Sequence, residues 1–161
     1  MNRFIAPILL ALMLPACGLQ PLYSGGSRGG VATTLGSVSV ATIEGKSGWL
    51  MRNALTDRLG AQDSNAAQFR LVVTLDDRIE GFGVRADDTV TRERRTLRAR
   101  YQLISVATGE TVLDATAGSD AGIDVAGSEY ATIAGENSAL ENLTQKVADQ
   151  IVTRLSIYAR G

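Results

Sequence analysis

The chain has 161 residues, a formal net charge of −1 and only 5% aromatic residues. It contains no histidine and a single cysteine, Cys17, which excludes a disulfide within the chain and metal sites built from His and Cys. A charge near zero gives no bulk attraction to nucleic acid, so no nucleic-acid partner is expected. The length suits one domain, and after the N-terminus no stretch is long and apolar enough to cross a bilayer as a helix.

The N-terminus begins with Arg3, an apolar run over residues 4–14 and then Leu14-Pro15-Ala16-Cys17. A helix over this run would cover about half of the ~30 Å hydrocarbon core, so it is too short to span. Its length is typical of a secretory signal. The alternative for Cys17 is an unmodified thiol in a discarded leader, or a small buried apolar residue.

The order Leu-x-Ala-Cys resembles the bacterial lipoprotein box, in which the cysteine receives a diacylglycerol. Pro15 departs from the residues usual in that box. The resemblance implies a signal peptide over residues 1–16 and lipidation of Cys17, with acyl chains such as palmitate anchoring the chain in the membrane. Gly18 stands where Asp commonly marks retention at the inner membrane, which favours the outer membrane.

Residues 17–34 are predicted to form the lipidated N-terminus and a flexible Gly- and Ser-rich tether, followed by a single domain over residues 35–161. Alternation predicts a first strand over residues 35–43. Ser47 is predicted to cap a helix that begins near Gly48 and ends at Gly60. Trp49, in its first turn, is expected to be a core anchor; the alternative is an aromatic at an interface.

Three strands are predicted next. Alternating apolar residues indicate a strand that starts at Phe69 and continues towards Val84, a turn at residues 86–88, and a return strand over residues 90–105. A fourth strand is predicted over residues 111–117, followed by a polar loop over residues 120–127. This order is typical of an antiparallel meander.

The C-terminal part is predicted to be helical because apolar residues recur at three- and four-residue steps. A capping box formed by Ser138 and Glu141, with Gly135 before it, makes a break in this helix plausible. The predicted fold class is α+β, a four-stranded mostly antiparallel sheet with two helices packed on one face. The helical stripe consists of Leu140, Leu143, Val147, Ile151, Leu155 and Tyr158.

Four arginines at even positions of the third strand define what we call the arginine strip: Arg92, Arg94, Arg98 and Arg100. Side chains alternate along a strand, so these four point to the same side of the sheet, opposite Leu97, Ala99, Tyr101 and Leu103. Arginine suits phosphate and carboxylate, which favours an anionic partner. The alternative is a solvated outer face that Asp76, Asp114 and their neighbours neutralise.

Residues 17–23, Cys-Gly-Leu-Gln-Pro-Leu-Tyr, resemble the Cys-Gly-Phe-x-Pro-Leu-Tyr opening of the LPS-assembly lipoprotein LptE family. The order of the predicted elements is similar too, as is Tyr101-x-Leu103 followed by Thr108-Gly109. The resemblance implies a lipid-anchored protein on the periplasmic side of the outer membrane. It also implies a plug-like complex with an LptD-like β-barrel translocon that assists lipopolysaccharide assembly at the cell surface. In such a protein the arginine strip is the expected lipopolysaccharide-binding site.

Two other functions are weighed against this one. An outer-membrane lipoprotein acting as an amphiphile-binding or transport-accessory module would share the same anchor. An enzyme is disfavoured, because neither histidine nor a free thiol is available. The adjacent pairs Asp76-Asp77 and Asp87-Asp88 would point to opposite faces on a strand, and in a turn such acids are usually solvated. We therefore expect no catalytic residues, no metal and no cofactor.

Overall fold

The structure is a computed structural model that describes residues 30–60, 67–84, 90–125 and 127–160. The predicted signal peptide, Cys17, the tether up to residue 29 and the turn at residues 86–88 lie outside the described residues. So do residues 61–66 between the first long helix and the strand that follows it.

The described elements form one four-stranded sheet and three helices, which confirms the α+β class and adds one short helix to the two predicted. The strand order is β1-β2-β3-β4; β1 runs parallel to β2 and the other neighbours are antiparallel. In chain order the elements are α1 (Gly30–Gly36), β1 (Val38–Val40), α2 (Gly45–Leu59), β2 (Phe69–Val84), β3 (Val90–Ser105), β4 (Thr111–Asp124) and α3 (Glu129–Tyr158).

The core lies between the sheet and the two long helices. On the sheet it is formed by the odd-numbered residues of β2 and β3, such as Leu71 and Leu97, as the alternation predicts. On α3 the predicted stripe is buried from Leu140 to Leu155, whereas Tyr158 stays 37% exposed and its ring forms a T-shaped contact with the Phe69 ring. We call the helix-covered side of the sheet the inner face and the opposite side the outer face.

Helix α3 runs unbroken from Glu129 to Tyr158, so the break predicted near Gly135 and the capping box at Ser138 are wrong. Gly135 has a packing role instead. A Cβ atom built there would lie 3.3 Å from the Cγ2 atom of Ile123 on β4. The missing side chain therefore lets the first half of the helix lie close against the sheet.

Helix α2 begins at Gly45, after Glu44, and Ser47 lies inside it, so the predicted cap at Ser47 is wrong. Its end at Gly60 is confirmed: this glycine has φ 64°, the left-handed conformation that terminates helices. Trp49 is 63% exposed, which overturns its predicted role as a core anchor. The buried side of α2 is formed by Met51, Ala54, Leu55 and Leu59, and Trp49 falls on the opposite side of the helical wheel.

Two boundaries differ from the predicted ones. Strand β1 covers only Val38–Val40, and the start of the predicted first strand, with residues 30–34 of the predicted tether, belongs to α1. Strand β4 extends to Asp124, so the polar loop predicted over residues 120–127 is mostly strand. The extension occurs because β3 is 16 residues long and its Arg92–Thr96 end offers β4 a pairing partner.

Candidate functional site

The arginine strip lies on the outer face, as the alternation predicts. Arg92, Arg98 and Arg100 are exposed, with 64%, 56% and 66% of their side-chain surface accessible. Their odd-numbered neighbours on β3, Leu97 and Ala99, are buried beneath the helices. The structure therefore brings the four predicted arginines to one surface that no described helix covers.

Carboxylates on β4 pair with three of the strip's arginines. Arg92 Nε lies 3.1 Å from Asp124 Oδ1, and Arg98 Nη2 lies 3.6 Å from Asp120 Oδ1. Arg100 donates two hydrogen bonds to Asp114, at 3.2 and 2.8 Å. Carboxylates therefore neutralise three of the strip's arginines, as the alternative prediction holds, and Asp114 is one of the acids that it named.

Arg94 differs from the other members of the strip. Its Cζ atom lies 5.2 Å from the centroid of the Phe82 ring, an arrangement in which the ring quadrupole attracts the cation. Glu80 is its partner in the β2–β3 register, yet within the described parts of the chain no carboxylate lies at ion-pair distance from Arg94. Arg94 is therefore the guanidinium of the strip with most capacity for an external anion.

Asp76 was expected to neutralise the strip, but it accepts a hydrogen bond from Arg78 on its own strand, at 2.8 Å. This bond raises the pKa of Arg78. The bonds from Arg100, and secondarily from Gln102, lower the pKa of the Asp114 carboxyl below its ordinary value. The same pairing with Asp114 raises the pKa of Arg100. These three shifts all favour the charged forms of Arg78, Arg100 and Asp114.

Strand β4 makes room for the arginine strip with a glycine. A Cβ atom at Gly118 would lie 2.5 Å from both Cδ and Nη1 of Arg98, so the arginine lies directly across the glycine backbone. A depression of about 630 Å³ adjoins this point and is lined by Thr74, Arg98, Arg100 and Thr116, among others. The short threonines and the glycine leave space beside two guanidinium groups.

Arg95, an arginine that joins the sheet to α3, was not among the predicted site residues. It points to the inner face, where its Nε and Nη2 atoms donate to the two carboxylate oxygens of Asp77 at 2.8 and 2.7 Å. Its Nη1 atom donates to the Glu136 carbonyl of α3 at 2.9 Å. The signal was present in the sequence: Asp77 and Arg95 are ionisable residues at odd positions, where the strand pattern predicts apolar side chains.

Among the described residues, no three carboxylate, histidine or cysteine side chains lie together in a way that could hold a metal ion. The helices of the described part are also too short or too polar to cross a membrane. The predicted lipidation site, Cys17, lies outside the described residues.

The fold is similar to that of several solved bacterial proteins. A protein from Caulobacter crescentus CB15 assigned as a lipoprotein matches with a TM-score of 0.69 at 23% identity, over 82% of this chain and 97% of its own. A minor lipoprotein from Acinetobacter baumannii matches with a TM-score of 0.61 at 16% identity, over 75% and 90% of the two chains. Rare lipoprotein B from Shewanella oneidensis matches with a TM-score of 0.56 at 12% identity, over 75% and 92%. At identities below 25%, these TM-scores establish a shared fold and nothing further.

A search of curated protein sequences finds no match to this chain. The profile of one protein family, described as LptE, lipopolysaccharide-assembly, matches residues 35–155. That range runs from the end of α1 to the last turns of α3 and includes the whole sheet. The chain therefore belongs to the LptE family of lipopolysaccharide assembly.

Proposed function

We propose that this LptE-family chain is a lipid-anchored protein of the outer membrane that forms a plug-like complex with an LptD-like β-barrel and assists lipopolysaccharide assembly at the cell surface. The observation that carries the proposal is the family match over residues 35–155. The lipoprotein box ending at Cys17, and neighbours of the same fold that are themselves described as lipoproteins, support the anchor.

The proposed mechanism is non-covalent. The acyl chains at Cys17 confine the domain to one membrane surface and so raise its effective concentration near a barrel in that membrane. A sheet with a polar outer face suits a water-filled barrel lumen, whose wall is polar. The chain contains no histidine, and lipidation occupies its one thiol, so we propose that it acts by binding and not by catalysis.

The proposed ligand of the arginine strip is the phosphorylated head of lipopolysaccharide. Exposed ion pairs contribute little in water, so Arg92, Arg98 and Arg100 can exchange an aspartate for a phosphate at small cost. Arginine's planar fork binds phosphate oxygens in pairs. In this proposal the strip competes with the cations that bridge lipid A phosphates, which loosens the packing of lipopolysaccharide molecules before insertion.

The first experiment replaces the strip. Substituting Gln for Arg92, Arg94, Arg98 and Arg100 is expected to weaken lipopolysaccharide binding by about tenfold or more, since one charge-assisted hydrogen bond is worth ~1.5–3 kcal/mol. The matched control removes four positive charges from the helical side, at Arg52, Lys146, Arg154 and Arg160. Affinity would be measured by titrating the full-length protein with lipopolysaccharide. Equal affinities of the two variants would reject the strip as the binding site.

The second experiment tests the partner and the anchor together. The full-length protein is purified from detergent-solubilised membranes, and the co-purifying material is identified by mass spectrometry, with Cys17→Ser as the unlipidated control. A large β-barrel protein that depends on Cys17 would support the proposal. Bound amphiphile without a barrel would favour the alternative, an amphiphile-binding or transport-accessory lipoprotein, for which the depression beside Arg98 and Arg100 is the relevant feature.

A further inference from the structure

Two glycines on β4 repeat at the same interval as two arginines of the strip on β3. In the β3–β4 register Arg94 lies opposite Gly122, and Arg98 lies opposite Gly118. Directly paired residues of neighbouring strands share a face of the sheet, so each of these arginines stands beside an outer-face position that has no side chain. A glycine inside a strand often marks a place where a ligand approaches the backbone closely.

The same two arginines are the least committed members of the strip. Within the described ranges Arg94 has no carboxylate at ion-pair distance. The contact between Arg98 and Asp120, at 3.6 Å, is the longest of the strip's three ion pairs. Arg92 and Arg100 lie closer to their aspartates, at 3.1 and 2.8 Å. An incoming anion therefore displaces least at Arg94 and Arg98.

Both glycines leave room beside a guanidinium group. A Cβ atom built at Gly122 would meet nothing within 4 Å, so the backbone opposite Arg94 is bare. At Gly118 the Arg98 side chain itself lies across the glycine and borders the depression lined by two threonines. Each place can admit a phosphate group to the planar fork of an arginine.

The two places are too far apart to share one phosphate. Arg94 and Arg98 are four residues apart on one strand, which separates their backbones by about 13 Å. Their side chains do not converge, because the Arg94 guanidinium lies over the ring of Phe82. That ring belongs to the residue paired with Arg92, on the side of Arg94 that is remote from Arg98.

We propose that the arginine strip holds two phosphate subsites, one at Arg94 and one at Arg98, which bind the two phosphates of a single bisphosphorylated glycolipid head. Thr96 is the one outer-face residue of β3 between them, and its hydroxyl suits the sugar that joins the phosphates. The inference rests on the proposed function. It narrows the ligand from any anionic amphiphile to one whose phosphates are about 13 Å apart. Once one phosphate is bound, the second binds as an intramolecular contact, which raises the affinity.

The test compares lipid A that carries both phosphates with monophosphoryl lipid A. Each is titrated into the full-length protein in nonionic detergent, with Arg94→Gln and Arg98→Gln as the variants. The unmodified chain is expected to bind the bisphosphorylated form about tenfold more tightly, since one charge-assisted contact is gained. Both substitutions should weaken that form by about tenfold. The monophosphorylated form leaves one subsite empty, so at least one of the two substitutions should not affect it.

Cardiolipin separates spacing from charge. It carries two phosphates, but a single glycerol joins them, so it is too short to reach both subsites. It is expected to bind no more tightly than monophosphoryl lipid A. Arg70→Gln is the matched control, because Arg70 is an exposed arginine of the same sheet face that pairs with Ile104, outside the strip. This variant should keep the affinities of the unmodified chain for all three lipids, and thermal unfolding followed by circular dichroism verifies that every variant is folded.

The outcomes distinguish this inference from the function on which it rests. Equal affinity of the unmodified chain for the two forms of lipid A would overturn the two subsites and leave lipopolysaccharide binding in place. Cardiolipin bound as tightly as bisphosphorylated lipid A would do the same, as would a monophosphorylated form that both substitutions weaken. An unmodified chain that binds none of these lipids would overturn the proposed ligand of the strip as well.

Discussion

The two faces of the β2–β3 pair hold the same residue types in opposite environments. Asp76 and Asp77 are neighbours in sequence, as are Arg94 and Arg95. On the outer face Asp76 pairs with an exposed arginine, Arg78. On the inner face Asp77 and Arg95 have only 19% and 11% of their side-chain surfaces exposed, and both guanidinium–carboxylate bonds are short. One step along a strand therefore separates a solvated charge from a half-buried one.

The exposure of an arginine–aspartate pair decides whether the arginine is available to a ligand or stabilises the fold. An exposed guanidinium is available to an external anion, and its ion pair adds little to folding because water competes for both groups. A half-buried pair has lost much of its hydration, so removing one partner leaves a charge that water compensates only in part. The outer arginines are thus suited to a ligand, while Arg95 joins the sheet to α3 through the Glu136 carbonyl.

The largest expected effect comes from breaking the inner pair. Asp77→Asn leaves the half-buried Arg95 guanidinium without its counter-charge and is expected to lower the free energy of unfolding by about 2–3 kcal/mol. Urea denaturation of both proteins measures this change in the free energy of unfolding. The matched control is Asp76→Asn, one residue away on the exposed side, where the change is expected to be much smaller. Equal losses in the two variants would contradict the assignment of Asp77 and Arg95 as the less exposed pair.

The second prediction concerns two glycines on the same strand and face. Gly118→Ala brings a Cβ atom against Arg98 and within 3.1 Å of the Leu97 carbonyl, and it is expected to destabilise the fold by about 1–3 kcal/mol. At Gly122 a Cβ atom meets nothing within 4 Å, so Gly122→Ala is the neutral control. Lipopolysaccharide titration of both variants shows whether displacing Arg98 also weakens binding. Identical unfolding curves would mean that Arg98 does not lie across Gly118.

Periodicity predicted which side of the sheet each β3 residue occupies, because a strand with one buried face alternates apolar and polar residues. The arginine strip, the buried Leu97 and the stripe on α3 all follow from it. Asp114 was predicted among the acids that neutralise the arginines, but which acid pairs with which arginine could not be predicted this way. The pairing depends on the register between β3 and β4, which joins residues far apart in the chain. The prediction for Trp49 failed because it relied on residue type. A large aromatic favours burial, but the position of Trp49 on the helical wheel places it in solvent.

The third prediction tests the inner face at high pH. Burial raises the pKa of the Tyr101 hydroxyl above its ordinary 10.0. The unfolded chain then ionises first, so the stability that neutral Tyr101 contributes is full below pH 10 and declines as pH rises beyond it. Urea denaturation between pH 9 and 11 is expected to show a steeper loss for the unmodified chain than for Tyr101→Phe. Parallel losses would indicate that the ring is hydrated in the folded state.

The smallest effect is expected on the outer face at low pH. Hydrogen bonds from Arg100, and secondarily from Gln102, hold the pKa of Asp114 below its ordinary 3.8. The unfolded chain therefore binds a proton first, and the stability from ionised Asp114 is present above about pH 4 and is lost as pH falls through the lower folded value. Asp114→Asn removes this loss, so its unfolding midpoint should fall slightly less than that of the unmodified chain between pH 5 and 2.

Because these groups are exposed, raising the salt concentration should shrink the difference further, whereas salt should leave the effect of Asp77→Asn nearly unchanged. A salt response of equal size at both aspartates would remove the distinction between a face built for ligands and a face built for folding.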